Sequence, residues 1–407
     1  EGWLRDGGAR FDALEVRDDG VLGRGVFARR DIVAGEVAFS VPTKLMLTAR
    51  AAAEDGVVAR VADLLHSWAE DVAPRFLTCL RLCRALLRDC DPFHNYAMSL
   101  PSDGPGAASW PAAFRDFLAS TSLGPSLAAA DAELDQWERL LKRVAESEPA
   151  LLKPQAAFER PRLNWARGML QSRQFPGAFG GDEGKGSMCM VPLLDLLNHH
   201  GAADVTVRVR GGVLEFVCDE GVRIGQQVWN NYGAKGNDEL LMCYGFAVSD
   251  NNFDVMPLAL APADDASAGA ASTRSEIALA VDGVPQDVID AIEAEQNTNQ
   301  FVALLRAVLL RKRAVTECLG RLPKALNFNV CKGPVARARK RSIEAYLEGQ
   351  LRVLEACLEC MRTAEDEGEG DDAEAKNIGK DGEGEDNEEE SEEELPRRKK
   401  KRRRRRQ

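Results

Sequence analysis

Two blocks of strand-forming sequence flank a stretch of 125 residues with helical periodicity, and this split order narrows the possible folds more than any other feature. The first block runs from Phe11 to Leu47 and is punctuated by Gly20, Gly23 and Gly25. Within it, Val37-Ala38-Phe39-Ser40-Val41 reads as a buried strand ended by Pro42, because proline has no amide proton to give a ladder. From Ala49 to Arg173 the apolar residues recur three and four apart, as at Leu77 and Leu80 and at Leu134, Trp137, Leu140, Leu141 and Val144. Pro101, Pro105, Pro111, Pro125, Pro149 and Pro154 divide that stretch into separate helices. Strand alternation then returns at Val205–Arg210 and Val213–Val217, joined by Gly211-Gly212, which suits a two-residue hairpin needing positive φ at both positions.

After Pro262 an Ala/Ser/Asp-rich stretch reads as a linker. Val288 to Met361 is helical again, with Phe301, Leu304, Leu305, Val308 and Leu309, then Tyr346, Leu347, Leu351 and Leu354, at helical spacing. Beyond Arg362 the composition cannot bury a core and reads as disordered. Between Glu365 and Glu394 stand 17 acidic and two basic residues, and all ten residues from Arg397 to Arg406 are basic. The remaining body holds 48 acidic and 41 basic residues, so it carries no broad basic footprint for nucleic acid. No apolar run reaches the ~20 residues that cross a bilayer. The chain starts at Glu1 without a Met, as expected of a fragment from which a signal or transit peptide could have been removed.

Ten cysteines are scattered without a disulfide-like framework and read as reduced thiols of an intracellular protein. Cys79/Cys83 and Cys357/Cys360 sit in helical sequence, with no second pair at finger-like spacing, and His66 and His94 are isolated; no metal is expected. The glycine-rich stretch Gly177 to Gly186 fails as a phosphate cradle. Lys185 is followed by Gly186 instead of Ser or Thr, and Phe179 stands where the first glycine belongs.

The second strand block carries the candidate chemistry. Val191-Pro192-Leu193-Leu194-Asp195-Leu196-Leu197 closes on Asn198-His199, and Asn230-Asn231-Tyr232-Gly233 leads to Tyr244-Gly245-Phe246. The first block contributes Gly23-Arg24-Gly25-Val26-Phe27-Ala28 and Asp31-Ile32-Val33-Ala34-Gly35-Glu36. Taken singly, each has an ordinary structural reading: a strand-to-strand turn, a capping Asn, a core tyrosine. Together and in this order, they resemble the SET-domain protein methyltransferases of the Rubisco large-subunit methyltransferase-like group, which includes actin-histidine and ribosomal-lysine methyltransferases. The resemblance covers Trp3 to Leu258 in motif and Val288 to Met361 in character only.

The resemblance implies an α+β fold: small β-sheets with a knotted C-terminal segment, a helical insert and a separate all-α C-terminal domain. Residues 1–48 and 174–262 would form the two SET parts and 49–173 the insert. Residues 263–287 would be the linker, 288–362 the substrate-binding helices and 363–407 the disordered acidic then basic tail. S-adenosyl-L-methionine would be the cofactor. Leu22, Gly23 and Arg24 would meet its amino-acid end, Asn198 its ammonium and His199 its adenine. Arg173, in Gln171-Ser172-Arg173-Gln174-Phe175, and Asp195 would line the cofactor and substrate channel. Tyr244 and Phe246 would wall it, and Tyr232 would be the catalytic residue.

The activity so implied is methyl transfer to a lysine of a non-histone protein. Histidine methylation and a catalytically silent SET-like adaptor are the alternatives, and the second tyrosine, Tyr244, favours lysine. The protein substrate would dock on the C-terminal helices, with a monomer expected and no membrane or specific nucleic acid as partner. The compartment would be the nucleus or cytoplasm, or the chloroplast if a transit peptide is lost.

Overall fold

The computed structural model describes residues 1–18, 23–70, 73–181, 187–259, 276–286, 288–289, 298–327 and 329–378. The first block forms α1 (Gly2–Asp6), β1 (Leu14–Asp18), β2 (Arg24–Ala28), β3 (Glu36–Pro42) and β4 (Leu47–Thr48). The insert follows as α2 (Ala49–Ala53), α3 (Gly56–Ser67), α4 (Pro74–Leu86), α5 (His94–Ser99), α6 (Ala112–Ala119), α7 (Gly124–Ser147) and α8 (Arg160–Arg173). The second block supplies β5 (Gln174–Pro176), β6 (Met188–Met190), β7 (Val205–Arg210), β8 (Val213–Cys218) and the short α9 (Asn237–Glu239), which runs on as a π-helical turn, Leu240–Tyr244. Then come β9 (Val255–Ala259), β10 (Glu276–Ala280), α10 (Thr298–Ala325) and α11 (Gly333–Ile378).

The strands make small antiparallel sheets in the orders β1-β2, β3-β8-β7, β4-β6-β5 and β10-β9. Two of them join the halves of the sequence, since β3 pairs with β8 (Val41 opposite Leu214) and β4 with β6 (Leu47 opposite Met190). The β7–β8 turn is the expected one: Gly211 and Gly212 have φ of 55° and 75°, the left-handed region in which glycine costs least. Pro42 ends β3 as expected, opposite Val213.

Beneath the sheets lies a core of Phe11, Leu14, Val26, Phe39, Val41, Leu194 and Phe216. The insert has its own core of Phe76, Leu80, Trp137, Leu141, Leu163 and Met169, which takes in Leu47 and Met190 from the sheet β4-β6-β5. Buried charge in the insert is paired. Arg81 donates two hydrogen bonds to Asp91 (2.6 and 2.7 Å), and Arg84 meets Asp55 at 3.0 Å, where Asp55 also caps α3 through the amides of Val57 and Val58.

Residues 276–280, expected within a linker, instead form β10 and pair with β9, Leu279 opposite Met256. Ile277 and Leu279 are buried and Ala278 between them is exposed, a period-two strand pattern that the preceding Ala/Ser/Asp run obscures in the sequence. The C-terminal helices expected over 288–362 are present as α10 and α11. Glu1–Cys360 clusters as one compact unit and Met361–Gln407 as another. Ser122 of the insert shares a 2.6 Å hydrogen bond with Tyr346 of α11, so within the first unit those helices rest on the insert. Residues 363–378, expected to be disordered, are helical and continue α11 beyond Arg362. Residues 379–407 lie outside the described residues. Among the described residues, no helix is long and apolar enough to cross a membrane.

Candidate active site

The chain from Gln226 to Asn230 is the strip on which the site is assembled. On one side it bridges β2, with Ala28 N donating to Gln226 O (2.9 Å) and Val228 N to Val26 O (2.8 Å). On the other it bridges the Asn-His pair, with Asn230 N donating to Asn198 O and His200 N to Asn230 O, both 2.9 Å, in parallel sense. Asn198 is thereby brought to the Gly23-Arg24-Gly25 turn. Its Nδ2 donates to Gln227 Oε1 at 2.7 Å and to Arg24 O at 3.3 Å. Any Cβ at Gly25 would lie 2.7 Å from Gln227 Oε1 and 3.1 Å from Asn198 Nδ2, so a larger residue there would push these two side chains aside. Gly23 takes φ +79° with open space beside it. Arg24 Nη1 donates to Ser99 O (2.7 Å), tying this turn to the end of α5.

Four half-buried rings form the second part. Tyr232 lies 4.7 Å from Tyr244, 5.0 Å from His199 and 6.4 Å from Phe246 between centroids, with His199 and Phe246 6.1 Å apart. The amide of Tyr232 donates to His199 Nδ1 at 3.1 Å and its hydroxyl to Leu197 O at 2.8 Å. Burial pushes the Tyr232 phenol up to about 12 and also raises that of Tyr244. Burial first, then the neighbouring His200 and Lys235, holds His199 below the ordinary histidine range, consistent with a neutral ring accepting at Nδ1.

Tyr244 is placed by backbone geometry. The π-helical turn ends at Gly245 (φ +80°), whose Cβ, if present, would strike the carbonyl of Pro105 in the insert. Trp110 Nε1 donates to that same carbonyl at 2.8 Å, and Gln171 Nε2 to Cys243 Sγ at 3.1 Å.

The third part is buried charge. Leu193 adopts φ 76°, a strained value for a residue with a Cβ, and the bend leads into the Leu194–Leu196 turn that carries the buried Asp195. Asp195 Oδ2 accepts from Tyr96 Oη at 2.8 Å and lies 3.7 Å from Arg173 Nε at the end of α8. Its Oδ1 accepts no hydrogen bond among the described residues. Burial raises the Asp195 carboxyl, against the pull of Arg173 and the Tyr96 hydrogen bond, and raises the Tyr96 phenol well above its usual range.

Of the residues singled out in the sequence, Asn198 meets the Gly23-Arg24-Gly25 turn, His199, Tyr232, Tyr244 and Phe246 cluster, and Arg173 pairs with Asp195; Leu22 lies outside the described residues. His200 stands beside Trp229 at 5.5 Å. Two members escaped sequence reasoning. Gln227 gives no signal of its own in the Gln226-Gln227 pair, and Tyr96 sits in the insert, 99 residues before the carboxylate it touches.

A model of the SET domain matches residues 23–233. Ribosomal lysine N-methyltransferase set10 of Schizosaccharomyces pombe is 26% identical over 242 residues, which is 58% of this chain and 41% of that protein. An actin-histidine N-methyltransferase of Danio rerio is 23% identical over 381 residues, 90% of this chain and 61% of that protein. The chain thus spans less than two thirds of either relative's length. A solved structure described as Rubisco LSMT bound to sinefungin and monomethyllysine superposes with a TM-score of 0.64 at 19% identity, covering 94% of this chain and 96% of that one. From Gly23 to Gly233, the matched stretch encloses most of these residues and just over half of the sequence: the chain belongs to the SET-domain family.

Proposed function

We propose that this protein is an S-adenosyl-L-methionine-dependent methyltransferase acting on a lysine side chain of a non-histone protein. The observation that carries the reading is the Tyr232 hydroxyl. It stays a neutral phenol, its proton is spent on the Leu197 carbonyl, and its lone pairs are left to accept from a polarised methyl group or an amine.

The residues present fit the cofactor. Asn198 donates both of its observed hydrogen bonds through Nδ2, and among the described residues no donor reaches its Oδ1, which leaves an acceptor for an ammonium group. When bound, S-adenosyl-L-methionine supplies an electrophilic methyl carbon on a sulfonium. Asn198 and the main chain of Gly23 and Arg24 would hold its amino-acid end, with His199 and Phe246 beside its adenine. Arg173, Asp195, Tyr232 and Tyr244 would line the channel for the acceptor.

Displacement at the methyl carbon needs no protein nucleophile; it needs alignment and an unprotonated amine. A free lysine, with pKa ~10.4, is about one part in a thousand neutral near pH 7.4. Enclosure by the Tyr232 and Tyr244 rings disfavours its charged form, so desolvation replaces a general base. Tyr232 stays protonated below about pH 12, so it orients the amine without removing the proton.

Histidine is the second reading, favoured by the relative that matches 90% of this chain, an actin-histidine methyltransferase. Tyr244 beside Tyr232 supports lysine, since a second tyrosine narrows the channel to a slender chain. Incubation with methyl-labelled cofactor and a source-cell lysate, followed by mapping of the modified residue, tests the reading. Labelled lysine supports it, labelled histidine replaces it with the second, and a protein that binds no cofactor is an adaptor. The C-terminal helices would dock the protein substrate, the protein acting as a monomer, and Arg397–Arg406 would serve nuclear import or, as an equal alternative, bind a polyanion.

A further inference from the structure

Between Glu317 and Glu344 the chain holds seven cations and no carboxylate. Most of them gather where α11 begins. Arg337, Lys340 and Arg341 are spaced i, i+3, i+4 and so share one face, with Lys332 just before the helix. None of these four has an ion-pair or side-chain hydrogen-bond partner among the described residues. Three cations elsewhere on the same helices are paired, Lys312 with Glu355 at 3.0 Å, Arg313 with Glu317 at 2.9 Å and Arg352 with Asp254 at 3.2 Å, whereas among the described residues these four stand together without a carboxylate. Helix stability does not explain the placement, because a helix N-terminus favours anions and the first turn of α11 has no acidic residue.

The patch reaches the active site through a short chain of contacts. Arg339, between those cations, lies 5.4 Å above the Trp110 ring. Trp110 holds the Pro105 carbonyl, against which Gly245 closes, and Gly245 separates Tyr244 from Phe246.

We propose that the first turns of α11 are a docking surface for an acidic segment of the protein substrate, distinct from the residue that is methylated. This rests on the reading of the chain as a protein methyltransferase. The patch is short, one helix face and one preceding lysine, which matches a few carboxylates. A nucleic acid would want a longer track and exposed rings for its bases. Here Trp110 is buried, and the exposed apolar neighbour is Val335.

The full chain and an R337Q/R341Q variant are each treated with carbodiimide in the presence of an oligoglutamate peptide, and the coupled lysines are mapped by mass spectrometry. Coupling is expected at Lys332 and Lys340, falling about tenfold in the variant as two charge contacts are lost, with coupling at Lys399 unchanged. Coupling confined to the terminal lysines, or equal at Lys332 and Lys340 in both proteins, overturns the proposal. So does displacement of the peptide by an oligouridine RNA at far lower concentration than by free peptide, which would make the patch a nucleic-acid surface. Calorimetry with S-adenosyl-L-methionine separates the two levels. Normal cofactor binding without coupling rejects only this surface, whereas absence of cofactor binding in both proteins rejects the enzyme reading.

Discussion

At Tyr232 one oxygen separates two interpretations of the same ring, because its hydroxyl satisfies the Leu197 carbonyl and, on the proposed reading, would also offer lone pairs to the acceptor channel. Tyr232→Phe keeps the packing against Tyr244 and His199. Single-turnover methyl transfer at saturating cofactor should fall by at least two tenfold steps, each about 1.4 kcal/mol of barrier, while cofactor binding stays within several-fold. Wild-type turnover would move the assignment to Tyr244. Asn198→Ala should weaken cofactor binding by roughly 1.5–3 kcal/mol, the usual contribution of a hydrogen bond to a charged group; unchanged affinity in calorimetry would mean the ammonium lies elsewhere. His199 gives a pH test. Its folded pKa is depressed, so the unfolded chain takes up the proton first, at about pH 6.5. The contribution to stability is therefore full above that pH and is lost as pH falls through the folded value, when Nδ1 no longer accepts from the Tyr232 amide. Thermal stability should drop between pH 7 and pH 5, and less steeply in His199→Gln; parallel curves would refute the coupling. Asn198, His199, Tyr232 and Tyr244 were legible because they sit in short ordered motifs. Gln227 and Tyr96 were not, since their partners are set by strand bridging and by the packing of the insert.

Among the elements, the hairpin β7–β8 and the helices α4 and α7 were readable from local chemistry: paired glycines in one case, three-and-four spacing in the others. β10 was not, because the short Ile277/Leu279 alternation is obscured by the Ala/Ser/Asp run before it and is completed only by pairing with β9. The junction of α9 with α11 is likewise invisible in sequence. Asp254 accepts from the amide of Asn237 (2.8 Å), from Asn237 Nδ2 (3.0 Å) and from Arg352 Nη2 of α11 (3.2 Å). Gly349 lets α11 come this near, since any Cβ there would overlap the Asp254 carboxylate. Asp254→Ala leaves the buried Asn237 amide without its acceptor and Asn237 Nδ2 with Val248 O alone, and chemical denaturation should show a loss of about 3 kcal/mol. A loss under ~0.5 kcal/mol, the range of surface substitutions, would mean the junction is solvated in solution.

Across the whole molecule, charge is segregated more sharply than the net −12 suggests. The acidic and basic runs after Arg362 match nothing in the SET motifs, so a chain ending at residue 396 should methylate at the wild-type rate and bind cofactor equally. A fluorescent fusion tests the import proposal: a distribution unchanged by that deletion removes it. The contact between Gly349 and Asp254 also has a consequence for synthesis. The turn bearing Tyr244 is completed by a helix made about a hundred residues later. A ribosome-bound chain can thus hold every motif residue and still lack the brace that steadies them. Nascent chains released before α11 emerges should lack this brace and turn over rapidly, so the site is steadied only once Gly349 and Arg352 have been made.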